Sequence, residues 1–93
     1  MSLPKKRKRT TRSNRLRALN LFKKGIDNLG VEEVYLIGSM ARGDDHPKSD
    51  VDLCLKGQFD VKNIYSLRDR IYIRTGVIIQ IYLDEPHEPM VKI

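Results

Sequence analysis

Asp50 and Asp52 are separated by one residue, in a run from Asp50 to Lys56 that alternates polar and apolar side chains. That alternation is the period of a β-strand with two unlike faces, so both carboxylates point to one side with their Cα atoms about 6.5–7 Å apart. The spacing brings both within reach of one divalent cation, or of a pair roughly 3.5–4 Å apart of the kind used in phosphoryl transfer. Oxygen ligands of this type suit Mg2+ or Mn2+. Upstream lies Gly38-Ser39-Met40-Ala41-Arg42-Gly43, directly after an apolar run. Gly38 lets backbone N–H groups approach a phosphate, and Ser39 is placed to cap a short helix whose N-terminus attracts negative charge. A Gly-Ser turn or an Asp-x-Asp at a strand edge is common by itself; the combination is specific.

These residues need a scaffold, and the rest of the chain supplies one. Leu16, Leu19, Phe22, Ile26 and Leu29 recur at helical spacing, with Ser13 placed to cap the start and Gly30 the end. Val34–Ile37 reads as a short buried strand ended by Gly38, and residues 43–49 are turn-rich. Val51, Leu53 and Leu55 take the core face of the next strand. Asp60 can cap a second helix whose stripe is Val61, Ile64, Leu67 and Ile71, broken by Thr75-Gly76. Val77–Leu83 reads as a third strand, with Gln80 and Tyr82 on the face opposite Val77, Ile79, Ile81 and Leu83. A rival reading turns Ile71–Arg74 into a strand closed by a Thr-Gly hairpin. The helix is preferred because its stripe reaches back to Val61. Alternating helices and strands predict a small α/β (α+β) sandwich over residues 13–84, followed by an irregular tail, 85–93, that contains Pro86 and Pro89.

The 93 residues hold eighteen Lys and Arg against twelve Asp and Glu. Lys5, Lys6, Arg7, Lys8, Arg9 and Arg12 precede every acid, so the net charge of +6 belongs to residues 1–12, which are expected to form a disordered basic tail. The remainder is balanced and fits one domain with a modest core. The single cysteine, Cys54, excludes an intramolecular disulfide, and no apolar run approaches the roughly 20 residues that cross a bilayer. A cytoplasmic protein without membrane contact is expected. So small a sheet is compatible with a homodimer.

Gly38-Ser39, ten intervening residues and Asp50-Val51-Asp52 in an apolar setting resemble the defining motif of the nucleotidyltransferase superfamily. Gly-Ser-x-Ala-Arg-Gly with Ser-Asp-Val-Asp-Leu is most similar to the minimal nucleotidyltransferases, the antitoxin-like partners of HEPN-domain proteins. The resemblance implies a mixed sheet with helices packed on it. It also implies that Gly38 and Ser39 contact the phosphates of a nucleoside triphosphate, ATP being expected, that Arg42 assists with their charge, and that Asp50 and Asp52 hold Mg2+ or Mn2+. A nucleotidyl group would pass to an acceptor hydroxyl, for which a HEPN-type partner protein is a candidate. The departure is on the third strand. The family carries a third carboxylate there, and this chain has Gln80 between Ile79 and Ile81. Gln80 offers an oxygen to a metal but has no charge and cannot act as a general base. Asp84 has the same strand parity, about 13 Å further along. Weak, conditional or lost transfer is therefore expected, and the alternative is a catalytically degenerate module that binds nucleic acid or a partner protein.

The other notable residues have plainer readings. His46 reads as a solvated loop histidine, Cys54 as a small buried apolar residue, Tyr65 and Tyr72 as core edge, and Arg68, Arg70 and Arg74 as a solvated helix face. The block Pro4–Arg9 resembles a single-cluster nuclear localisation signal, and it also suits sequence-indifferent nucleic-acid contact, the preferred reading, or docking on an acidic partner.

Overall fold

The computed structural model describes residues 9–84 and 90–93. Most of the basic segment, from Lys5 to Lys8, and residues 85–89 of the predicted C-terminal tail lie outside the described residues.

The first helix, α1 (Arg12–Gly25), is capped by Thr11, whose side chain accepts from the Asn14 N–H, and not by Ser13. It stops at Gly25, five residues short of the predicted Gly30, because Asn28 and Gly30 both adopt positive φ and turn the chain into β1 (Val31–Ile37). Its buried side chains are Arg15, Ala18, Leu19 and Phe22, while Leu16 is exposed. The predicted stripe is thus rotated by about one residue. Arg15 turns inward to an acid described below.

Helix α2 (Gly38–Arg42) follows β1 directly, and β2 (Val51–Gly57) buries Val51, Leu53 and Leu55 as the alternation predicts. Asp60 caps α3 (Val61–Thr75) through the Lys62 N–H, Ile64, Leu67 and Ile71 form its buried stripe, and Gly76 ends it in the left-handed conformation. The hairpin alternative is excluded. β3 (Ile79–Tyr82) is shorter than predicted, and the C-terminal residues are not wholly irregular: β4 (Val91–Lys92) pairs with β1.

The sheet order is β3-β2-β1-β4, with β2 and β3 parallel and the other pairs antiparallel, a mixed sheet as the fold class predicts. α1 and α3 pack together over one face, and the core lies between them and Val34, Val51, Leu53, Leu55 and Ile79. The opposite face carries the acids. Among the described residues, no helix is long and apolar enough to cross a membrane.

Candidate active site

β1 delivers Gly38 to the acids. Ile37 pairs with Asp52, so the residue after it meets the Asp52 side chain. Gly38 has φ +74°, and a Cβ there would collide with Asp52 Oδ2 and stand 3.2 Å from its Cγ. Positive φ and missing volume are both required, a combination glycine alone supplies cheaply. On the other side of β2, the parallel strand places Gln80 opposite Asp52, and Gln80 Nε2 donates to Asp50 Oδ2 at 3.2 Å. The Val51 N–H donates to the Ile78 carbonyl at 3.0 Å, extending the ladder to the residue that follows Asp50. Gly38, Asp50, Asp52 and Gln80 are thereby gathered at one end of the sheet.

Ser39 is not the cap of α2. The positive φ at Gly38 bends the chain straight out of β1, Ile37 takes the cap position without a side-chain bond, and Ser39 falls inside the first turn. Its hydroxyl donates to Ser49 Oγ at 3.1 Å, tying α2 to the residue before Asp50. Arg42 lies in the last turn, half-exposed, with Nε 3.3 Å from Asp44 Oδ2. Asp84 is exposed two residues beyond Tyr82, and its carbonyl accepts from Cys54 Sγ at 3.7 Å. That register keeps it about four residues, or 13 Å, along the strand from Gln80.

The loop between α2 and β2 contains residues that sequence reasoning passed over. The Asp45 side chain is buried and receives a 2.7 Å bond from Arg15 Nη2, and Arg12 Nη1 stands 3.3 Å from its other oxygen. Arg15 Nη1 also donates to the Thr10 carbonyl and hydroxyl, and the Thr10 N–H donates to the Pro47 carbonyl at 2.7 Å. The hydrogen bond from Arg15, aided by the nearby charge of Arg12, holds the Asp45 carboxyl below its ordinary pKa. Thr10 and Arg12 thus join the fold instead of the predicted tail. Within the loop, Ser49 Oγ accepts from the His46 N–H, and His46 Nδ1 accepts from the Lys48 N–H. His46 is exposed, as the sequence reading expects. A faint signal was present: Arg15 is in register with Ala18, Leu19 and Phe22 at helical spacing.

Two carboxylates, a neutral amide bonded to one of them and a close backbone offer oxygen donors of the type that suits a hard cation keeping several water ligands. Asp50 and Asp52 would hold it, with Gln80 as the third group. Among the described residues, no cluster of three or more His, Cys, Asp or Glu side chains is placed to hold a metal. The donor set fits Mg2+ but carries one negative charge fewer than three carboxylates would.

The profile described as nucleotidyltransferase domain matches residues 19–86. The curated proteins and the solved structures give no match. The matched span contains Gly38, both aspartates and Gln80 and covers well over half of the sequence, so the chain belongs to the nucleotidyltransferase domain family.

Proposed function

We propose that this protein binds a nucleoside triphosphate, ATP in the first place, together with Mg2+ or Mn2+ at Asp50 and Asp52, and that its nucleotidyl transfer is weakened at Gln80. One observation carries the second half: Gln80 stands opposite Asp52 and is hydrogen-bonded to Asp50, where the resemblance calls for a carboxylate. In the reaction, the acceptor hydroxyl oxygen bonds to the α-phosphorus, pyrophosphate leaves, and the hydroxyl proton must pass to a base. A bound divalent cation would neutralise charge developing on the phosphates. Asp50 and Asp52 bind and orient, the Gly38-Ser39 backbone approaches the triphosphate, and Arg42 can swing from Asp44 because both side chains are largely exposed. Gln80 orients Asp50 but cannot take the proton.

The resemblance to minimal nucleotidyltransferases supports an acceptor hydroxyl on a HEPN-type partner, hence an antitoxin-like role in the cytoplasm. The tail residues Lys5, Lys6, Arg7, Lys8 and Arg9 are suited to nucleic acid or to an acidic partner. A second reading, a catalytically degenerate module that binds nucleic acid or a partner protein, draws on the same Gln80–Asp50 bond. Isothermal titration with ATP and MgCl2 tests nucleotide binding. Heat that depends on both ligands and disappears in Asp50→Ala is expected; no binding at millimolar nucleotide overturns it. Transfer of label from α-labelled ATP then separates the two readings.

A further inference from the structure

The charge balance of the sequence after residue 12 conceals a strong separation in the fold. α1 carries five basic residues and no acid. α3 carries four basic residues and one acid, Asp69, which is paired to Arg68 at 3.2 Å. The helix layer is thus strongly cationic, while Asp50 and Asp52 lie on the sheet's opposite face.

The cations line connected hollows. A groove of about 660 Å³ along the outer side of α1 is lined by Arg12, Arg17 and Lys24. A second, of about 330 Å³ between α1 and α3, is lined by Lys24, Arg70 and Arg74. Leu21 and Lys24 belong to both, so the grooves run into one another. At the far end Arg12 also lines a hollow with Arg9, the residue that follows the basic block Lys5–Lys8; Asp45 lines this hollow too, but its side chain is buried and already held by Arg15, and Arg12 itself is largely exposed. Among the described residues, no acid lines either of the first two grooves.

We propose that this band, Arg9, Arg12, Arg17, Lys24, Arg70 and Arg74, is a docking surface for the phosphate backbone of a nucleic-acid duplex. From Arg12 to Lys24 the helix rises about 18 Å, the axial length of about five nucleotides of one B-form strand. An evenly charged polyanion matches a band of that length, lined by cations along both grooves, with the buried Asp45 side chain beside it at the Arg12 end. Among the described residues, neither groove is lined by an aromatic side chain that could stack on an unpaired base, so contact falls on phosphates without reading sequence. The covering of the acidic site by the sheet keeps the aspartates from repelling the ligand. The inference is independent of nucleotide binding at Asp50 and Asp52.

The test is fluorescence anisotropy of the full chain with labelled RNA and DNA duplexes of mixed sequence, across a salt series. The parent should bind at low salt with a steep salt dependence. R17A/K24A/R70A/R74A, checked by circular dichroism for retained helix, should raise Kd at least about tenfold and flatten the slope of log K against log salt by about three to four. K5Q/K6Q/R7Q/K8Q should lose only part of the affinity. If the fourfold variant does not fold, R17E and R74E should each weaken binding singly. The proposal is overturned if the parent does not bind, if the helix variants match the parent, or if polyglutamate binds more tightly than either duplex. RNA bound in preference to DNA, or the reverse, names the ligand within the proposal and supports it.

Discussion

Gln80 Nε2 donates a hydrogen bond to Asp50 Oδ2 at 3.2 Å, and Gln80 is also the cross-strand neighbour of Asp52. One amide thus touches one aspartate and flanks the other. A neutral side chain there relieves two neighbouring negative charges, whereas a carboxylate would add a third. The position favours a stable site over a base.

Gln80→Asp should reverse that balance. Without divalent cation the third carboxylate repels Asp50 and Asp52, so thermal stability should fall; with Mg2+ it should recover. Transfer of label from α-labelled ATP should rise by about 100-fold or more if the new carboxylate serves as base. Equal transfer by parent and variant would remove Gln80 as the cause of weak activity.

Gly38→Ala should abolish nucleotide binding while leaving the chain folded. The added methyl collides with Asp52 Oδ2, and the left-handed φ of +74° costs about 1–2 kcal/mol for a residue with a Cβ. Gly76→Ala is the control, since it shares the positive φ, caps α3 and meets nothing within 4 Å. Melting temperatures should drop in both variants, further in Gly38→Ala because of the added collision, but titration with ATP and Mg2+ should fail only for that variant.

Much of this site was legible in the sequence because it rests on short-range pattern. The alternation Val51-Asp52-Leu53-Cys54-Leu55 put Asp52 on the face away from the core, and the Asp60 and Gly76 signals bounded α3. Gln80 was placed by strand parity. What escaped depended on long-range partners. Arg15 and Asp45 lie 30 residues apart, and a charged residue within a helical stripe reads as a solvated interruption until its buried acid is in view. Leu16 drew the stripe one position off for the same reason. β4 is two residues long, too short for any period, and only its pairing with Tyr35 and Leu36 makes it a strand.

The Arg15–Asp45 pair should carry the loop that ends in Asp50. Asp45→Ala strands a buried guanidinium, which keeps its two bonds to Thr10, so the loss should lie near the low end for a broken buried pair, about 3 kcal/mol. Denaturant unfolding measures it. Arg15→Met with Asp45→Leu removes both charges and should recover most of the stability, and a double variant as unstable as Asp45→Ala would contradict the buried-charge account.

The same pair predicts how stability follows acidity. Arg15, and then Arg12, hold the Asp45 carboxyl below its ordinary value of 3.8, so the folded chain binds this proton less readily than the unfolded chain. The stabilisation is therefore complete above about pH 5 and is lost as pH falls through 3.8 toward the lower folded value. Asp45→Asn has no such proton to bind, so its melting temperature should be lower at neutral pH yet fall less steeply from about pH 5 to pH 3. Parallel melting curves for parent and variant across that range would show that Asp45 gains nothing from Arg15 on folding.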